Sequence, residues 1–139
     1  MPELMYAASM AFIQKNDRVL IAKRHPNHSN GDGGLWEMPS GRLEKSESFE
    51  MALKREVKEE TDLEVKIILP IATWFMPEFP LVGVTFVCKY VSGKVRLTLE
   101  HTEYKWVKFD RILDYIHKPS MVNHINTYLE WRKRNQKYL

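Results

Sequence analysis

From about Ser48 to Thr61 the chain (SFEMALKREVKEET) has the periodicity of one helix, capped at its start by Ser46 or Ser48. It is an awkward helix to place. At 100° per residue, Phe49, Ala52, Leu53 and Val57 make an ordinary apolar stripe, yet Glu56 and Glu60 fall inside that stripe and Glu59 lies beside it. Lys54, Arg55, Lys58 and Asp62 fall on the opposite side. Carboxylates pointing where the core-facing residues point repel one another and lose hydration, so something must compensate them. Spaced i, i+3, i+4, the three glutamates share neighbouring turns. A hard divalent cation such as Mg²⁺, which takes oxygen ligands and shares its shell with phosphates, would do it. The bland alternative is a solvated acidic patch with lysine ion pairs.

Around this helix the chain reads mainly as strands. Residues 5–13 (MYAASMAFI) and Arg18–Arg24 (RVLIAKR) flank an Asn16-Asp17 turn, and His25–Gly34 is a loop by composition. Leu35–Pro39 is a short extended piece. Residues 63–75 and 81–91 read as strands on either side of MPEFP, Ser92-Gly93 as a turn, and Tyr104–Phe109 as another strand. Helical patterns follow at roughly 110–117 and 119–136. Strands with three helices and no strand–helix–strand rhythm imply an α+β fold, and 139 residues suit a single domain, 1–139.

What precedes the helix sharpens its meaning. In Leu35–Glu44 (LWEMPSGRLE), Pro39 and Gly41 flank Ser40 in a tight loop that can bring backbone close to a ligand. Gly41, five residues, Glu47, seven residues and then Arg55-Glu56-Val57-Lys58-Glu59-Glu60-Thr61-Asp62-Leu63 resembles the Nudix box. Six charged or glycine positions agree, a coincidence expected in about one chain in 10⁵ at roughly 6% usage per residue type. WEMPSGRLE resembles that family's lead-in, Glu103–Val107 its E-x-x-W-V strand, and Val19–Arg24 its second strand. Three positions depart from the pattern. Asp62 stands where the box ends in Gly, Ser40 replaces the first of two glycines, and Ser46 replaces a frequent Gly before Glu47. A left-handed residue at 62 costs a non-glycine about 1 kcal/mol.

The resemblance implies a Nudix-type α/β/α sandwich with a mixed central sheet and a loop–helix–loop motif over 41–63. It also implies an Mg²⁺-dependent (or Mn²⁺-dependent) pyrophosphohydrolase. Glu56, Glu59 and Glu60 would then ligate the metal, joined by Glu47 and the Ser40 carbonyl, with Glu47 alternatively pairing with Arg55 to orient the helix. The general base is Glu56, or a glutamate of the later loop, Glu100 or Glu103, and Glu59 and Arg55 complete the catalytic set. His101 reads as a loop residue. Arg24, Lys23 and Arg42 are candidates to contact phosphates, since Arg suits bidentate contact. Trp36, Trp74, Phe75 and Phe79 are candidates to stack on a base, although core packing is the usual fate of large aromatics. The segment Trp74–Pro80 (WFMPEFP) lies where that family shapes substrate choice.

Three functions compete. The first is hydrolysis of a nucleoside triphosphate, ordinary or oxidised, to monophosphate and pyrophosphate, as in MutT-like enzymes. The second is cleavage of ADP-ribose or a nucleotide sugar. The third is a non-catalytic nucleotide- or RNA-binding module, disfavoured because all four box glutamates and Arg55 are present. The single cysteine, Cys88, and the lack of a signal-peptide layout or membrane-length apolar run fit a cytoplasmic protein with no membrane partner. A formal charge of +3 is mild, and the basic stretch Trp131–Lys137 reads as a solvated helix end, so nucleic acid is disfavoured as a partner. A small-molecule nucleotide is the expected partner, with a homodimer as the assembly considered.

Overall fold

Asn16, at φ 58°, supplies the left-handed residue that a tight hairpin needs, and Lys15 pairs with Arg18 across it. In the computed structural model, which describes residues 3–27 and 33–136, this hairpin joins β1 (Tyr6–Lys15) to β2 (Arg18–Arg24). There follow β3 (Trp36–Glu37), β4 (Ser40–Arg42), α1 (Phe49–Thr61), β5 (Glu64–Met76), β6 (Leu81–Ser92), β7 (His101–Lys108), a 3₁₀ helix (Phe109–Asp114) and α2 (Pro119–Arg134).

The sheet runs β3-β2-β1-β6-β5, with β4 paired to β1 and β7 to β2. β1 and β6 are parallel while every other pairing is antiparallel, so the sheet is mixed. β1 serves two partners on one edge: residues 8–10 pair with β4 and residues 14–15 with β2. This fork delivers β4, and the loop after it, to the start of α1.

Alternation along β1 and β2 sorts the core into two layers. Met10, Phe12, Val19 and Ile21 pack with Ile125 and Tyr128 of α2. Ala11, Ile13 and Leu20 pack with Leu53 and Val57 of α1. Helices thus cover both faces, giving the expected α+β sandwich. β5 is an outer strand, which is where Pro70 is tolerated, and its register shifts there.

Three expectations need correction. The helix expected at 110–117 is a single 3₁₀ piece, Phe109–Asp114, with no side-chain cap; Pro119 opens the next helix at its first turn, as proline prefers. The strand expected from Tyr104 begins at His101, so His101 is a strand residue. The basic C-terminal stretch is not wholly solvated either. Arg132 is buried, donating to Gln14 Oε1 at 2.7 Å and lying over the Phe109 ring at 4.1 Å, whereas Lys133 and Arg134 are exposed. Residues 28–32 of the expected loop and Lys137 lie outside the described residues.

Candidate active site

Gly41 fixes the distance between β4 and α1. A Cβ at Gly41 would overlap the carboxyl end of Glu56, so a larger residue there would have to displace that side chain. Ser48, not Ser46, caps α1, accepting from the Met51 amide at 3.1 Å. Two of the three departures from the glycine pattern fall on left-handed backbone: Ser46 at φ 73° and Asp62 at φ 64°. Asp62 ends α1 as anticipated, its amide bonded to the Lys58 carbonyl at 2.9 Å.

Arg55 does not stay on the outer face of α1 where the wheel puts it. Its side chain curls back to become the hub of the acidic cluster. Nε and Nη2 grip Glu47 as a fork at 2.7 and 2.8 Å, and Nη2 also donates to the Arg42 carbonyl at 3.0 Å. Nη1 reaches Glu56 at 2.8 Å and Glu59 at 3.2 Å. The Glu47–Arg55 fork is the pairing on which an orienting role for Glu47 would rest. Arg55, with the Glu44 amide, holds the Glu47 carboxyl down at about 2. Glu56 behaves oppositely. Burial raises its pKa despite the Arg55 hydrogen bond, and the charges of Glu59 and Glu100 add to the rise.

Glu60 is the extreme case. It is buried, and its Oε2 has no hydrogen-bond partner among the described residues. Burial, then the charges of Glu56, Glu100 and Glu37, push its pKa up to about 9, against one hydrogen bond from the Ser40 backbone. A buried carboxyl oxygen without a partner in an acidic wall is the donor a hard cation lacks elsewhere. Glu56, Glu59, Glu60 and Glu100 line a cavity of ≈ 380 Å³ with Thr98 and Leu99. Among the described residues no three metal-binding side chains converge on one point; Glu56 and Glu59 are both paired with Arg55 Nη1. The donor chemistry fits a divalent cation, which Glu56, Glu59 and Glu60 would hold. Glu100, not Glu103, is the later glutamate in this cluster; Glu103 is exposed on β7, opposite Lys23.

On the other side of Ser40 and Gly41 opens a cleft of ≈ 670 Å³, lined by aromatic and apolar side chains that include Trp36, Trp74, Phe75, Phe79 and Tyr115. Arg24 and Arg42 line it too, while Lys23 does not. Lys23 instead sits 6.0 Å from the Trp36 ring centroid. Arg24 donates to Glu37 Oε1 at 2.7 Å, and His101 Nε2 lies 2.9 Å from the same oxygen. The sequence reading missed this Arg24–Glu37–His101 cluster, although Glu37 stands within the quoted lead-in. It also missed His124, a buried residue of α2 that lines the cleft. Its position one residue before the core residue Ile125, and four before Tyr128, would have placed it near the buried face of α2.

A family profile for the NUDIX domain matches residues 3–131. The chain belongs to the NUDIX domain family. The NAD-capped RNA hydrolase NudC of Mannheimia succiniciproducens is 36% identical over 103 residues, covering 70% of this chain but 38% of that protein, so the chain spans well under half of that relative. A MutT-like protein of Streptomyces ambofaciens is 30% identical over 111 residues, covering 80% of this chain and 69% of its own length. Among solved structures, the MutT protein from Methanosarcina mazei Go1 superposes with a TM-score of 0.78 at 24% identity, over 96% of this chain and 99% of its own. That likeness shows a shared fold.

Proposed function

We propose that this NUDIX domain is a divalent-metal-dependent pyrophosphohydrolase that cleaves the diphosphate of a nucleotide. The observation that carries the proposal is the unpartnered buried carboxyl oxygen of Glu60 in a wall of glutamates, one strand away from an aromatic cleft. Glu56, Glu59 and Glu60 would hold the cation. When bound, Mg²⁺ neutralises phosphate charge and positions or acidifies a water.

The chain's own residues account for the rest. Arg55 and Glu47 fix α1 against the Arg42 carbonyl, so the glutamates are presented from a rigid element. Arg24 and Arg42 line the cleft, where they can contact phosphate oxygens. Glu100, which lines the same cavity as Glu56 and Glu60, would take a proton from the attacking water. Water oxygen bonds to phosphorus, the bridging P–O bond breaks, and its electron pair leaves with the departing phosphate. The aromatic side chains offer a stacking surface for the base.

A nucleoside triphosphate, split to monophosphate and pyrophosphate, is the first substrate class. Resemblance to proteins named NAD-capped RNA hydrolase favours a second, a diphosphate joining two larger groups, such as NAD, a capped RNA end or ADP-ribose. Incubation with Mg²⁺ and a panel of triphosphates, NAD, ADP-ribose and NAD-capped RNA, with product identification, separates these. Pyrophosphate release supports the first and paired monophosphate products the second. Tight binding with no turnover anywhere would replace both with a binding module. Glu59→Gln should lower kcat at least about 100-fold and leave the fold intact, because the Glu59 side chain is 58% exposed. Normal turnover in that variant refutes the metal assignment.

A further inference from the structure

His124, on the wall of the cleft, is oriented by a relay no phosphate chemistry requires. Trp74 on β5 and Thr85 on β6 lie close across the sheet, and the Trp74 indole lies over Gly83, where a Cβ would overlap the ring. Held there, Trp74 Nε1, which can only donate, reaches Thr85 Oγ1 at 3.1 Å. Thr85 Oγ1 in turn lies 3.4 Å from His124 Nδ1. Thr85 is fully buried and has no other hydroxyl partner among the described residues. Its own proton therefore goes unpaired unless it points at His124. With the hydroxyl donating, Nδ1 must be the acceptor, and the neutral ring carries its hydrogen on Nε2. Burial favours that neutral ring by lowering the His124 pKa. Nε2 has no partner among the described residues, and His124 lines the cleft together with Trp74 and Phe75.

We infer that His124 presents an Nε2–H donor to the cleft, fixed in that tautomer by the Trp74–Thr85 hydroxyl relay, and that it reads a lone-pair acceptor on the edge of a stacked nucleobase. This rests on the nucleotide reading above and deepens it. His124 is the binding residue; Thr85 and Trp74 are positioning residues. The ligand class is a heteroaromatic base offering a ring nitrogen or carbonyl oxygen, with its face against the aromatic wall and its phosphates toward Ser40–Arg42. An aliphatic group in the same place would leave the donor unmatched.

The tautomer is tested without any ligand by ¹⁵N NMR of the imidazole at neutral pH. The wild type should show Nδ1 unprotonated and Nε2 protonated, and Thr85→Val, which keeps the shape and deletes the hydroxyl, should lose that bias. A protonated Nδ1 in the wild type overturns the relay. Binding is then measured by calorimetry with Mg²⁺ and AMP, GMP, CMP and UMP in turn, and with inorganic tripolyphosphate, which has no base. His124→Leu should weaken the best-bound monophosphate about 10-fold and leave tripolyphosphate unchanged, while His124→Gln, which restores an N–H, should recover most of the loss. Equal loss for both probes, or no loss for the nucleotide, overturns the assignment of His124 while leaving the hydrolase reading standing. Failure of the wild type to bind any of the nucleotides overturns the assignment of His124, and the hydrolase reading still stands or falls on the turnover assay above.

Discussion

Glu60→Gln tests the proposed metal site most directly, because it acts on a property measurable with no substrate present. In the unfolded chain Glu60 loses its proton near the ordinary 4.5; in the folded, metal-free chain it keeps it until about 9. Between those values the unfolded state holds fewer protons, so stability falls as pH rises, by about 1.4 kcal/mol per pH unit for one such group. From pH 6 to pH 8 the wild type should therefore lose about 2–3 kcal/mol relative to Glu60→Gln, a ceiling reduced by any rearrangement of Glu56, Glu100 and Glu37 around the new charge. The glutamine has nearly the same volume and can still accept from the Ser40 amide, so the comparison isolates the ionisation.

The assay is urea unfolding of both proteins at pH 6, 7 and 8 in the presence of a chelator, repeated with excess Mg²⁺. A cation that binds the ionised carboxylate displaces the proton, so it should stabilise the wild type increasingly as pH rises. It should stabilise the glutamine variant little at any pH. Parallel stability–pH lines for the two proteins would refute the burial argument. Equal stabilisation of both by Mg²⁺ would refute the placing of Glu60 among the ligands.

Three other outcomes follow from the same geometry. Gly41→Ala drives a methyl group into the Glu56 carboxyl; it should cost about 1–3 kcal/mol in a thermal melt and lower turnover by displacing a ligand. Ser46→Gly and Asp62→Gly each relieve a side chain held at positive φ and should stabilise by about 0.5–1 kcal/mol, even though the second gives up the exposed Lys58–Asp62 pair at 3.2 Å. Ser48→Ala removes the cap on the Met51 amide and should cost about 1 kcal/mol by urea titration.

Much of the fold was legible because it rests on local periodicity. β1, β2, α1, β5, β6 and α2 lie within a few residues of where alternation and helical spacing put them, and Asp62 ends α1 in the left-handed conformation that a missing glycine implied. The clash between apolar stripe and carboxylates in α1 was legible for the same reason: a helical wheel reports which way Cβ points. It fails for Arg55, whose long side chain crosses from its own face to the glutamates, since direction at Cβ does not fix where a guanidinium ends. It fails again for Glu37, His101, Thr85 and His124. Each has a partner 11 to 64 residues away, and such pairs follow from strand order and register, which one sequence does not carry. Choosing between Glu100 and Glu103 had the same obstacle. Only the start of β7 at His101 decides which of the two stays in the loop beside α1.

The placement of Arg55 also explains how an acidic face of this density can fold before any cation arrives. One guanidinium serves Glu44, Glu47, Glu56 and Glu59, and its nitrogens divide the work. Nε and Nη2 are committed to Glu47 and the Arg42 carbonyl, which tie α1 to β4. Nη1 alone holds Glu56 and Glu59. On the proposed metal assignment, a divalent cation competing for those two carboxylates would disengage one nitrogen and leave the anchoring fork in place. The helix would keep its position, and Glu60, buried with an unpartnered Oε2, would be the carboxylate left for the cation to neutralise. A lysine at this position, a point charge without a fork, could do only one of the two tasks at a time.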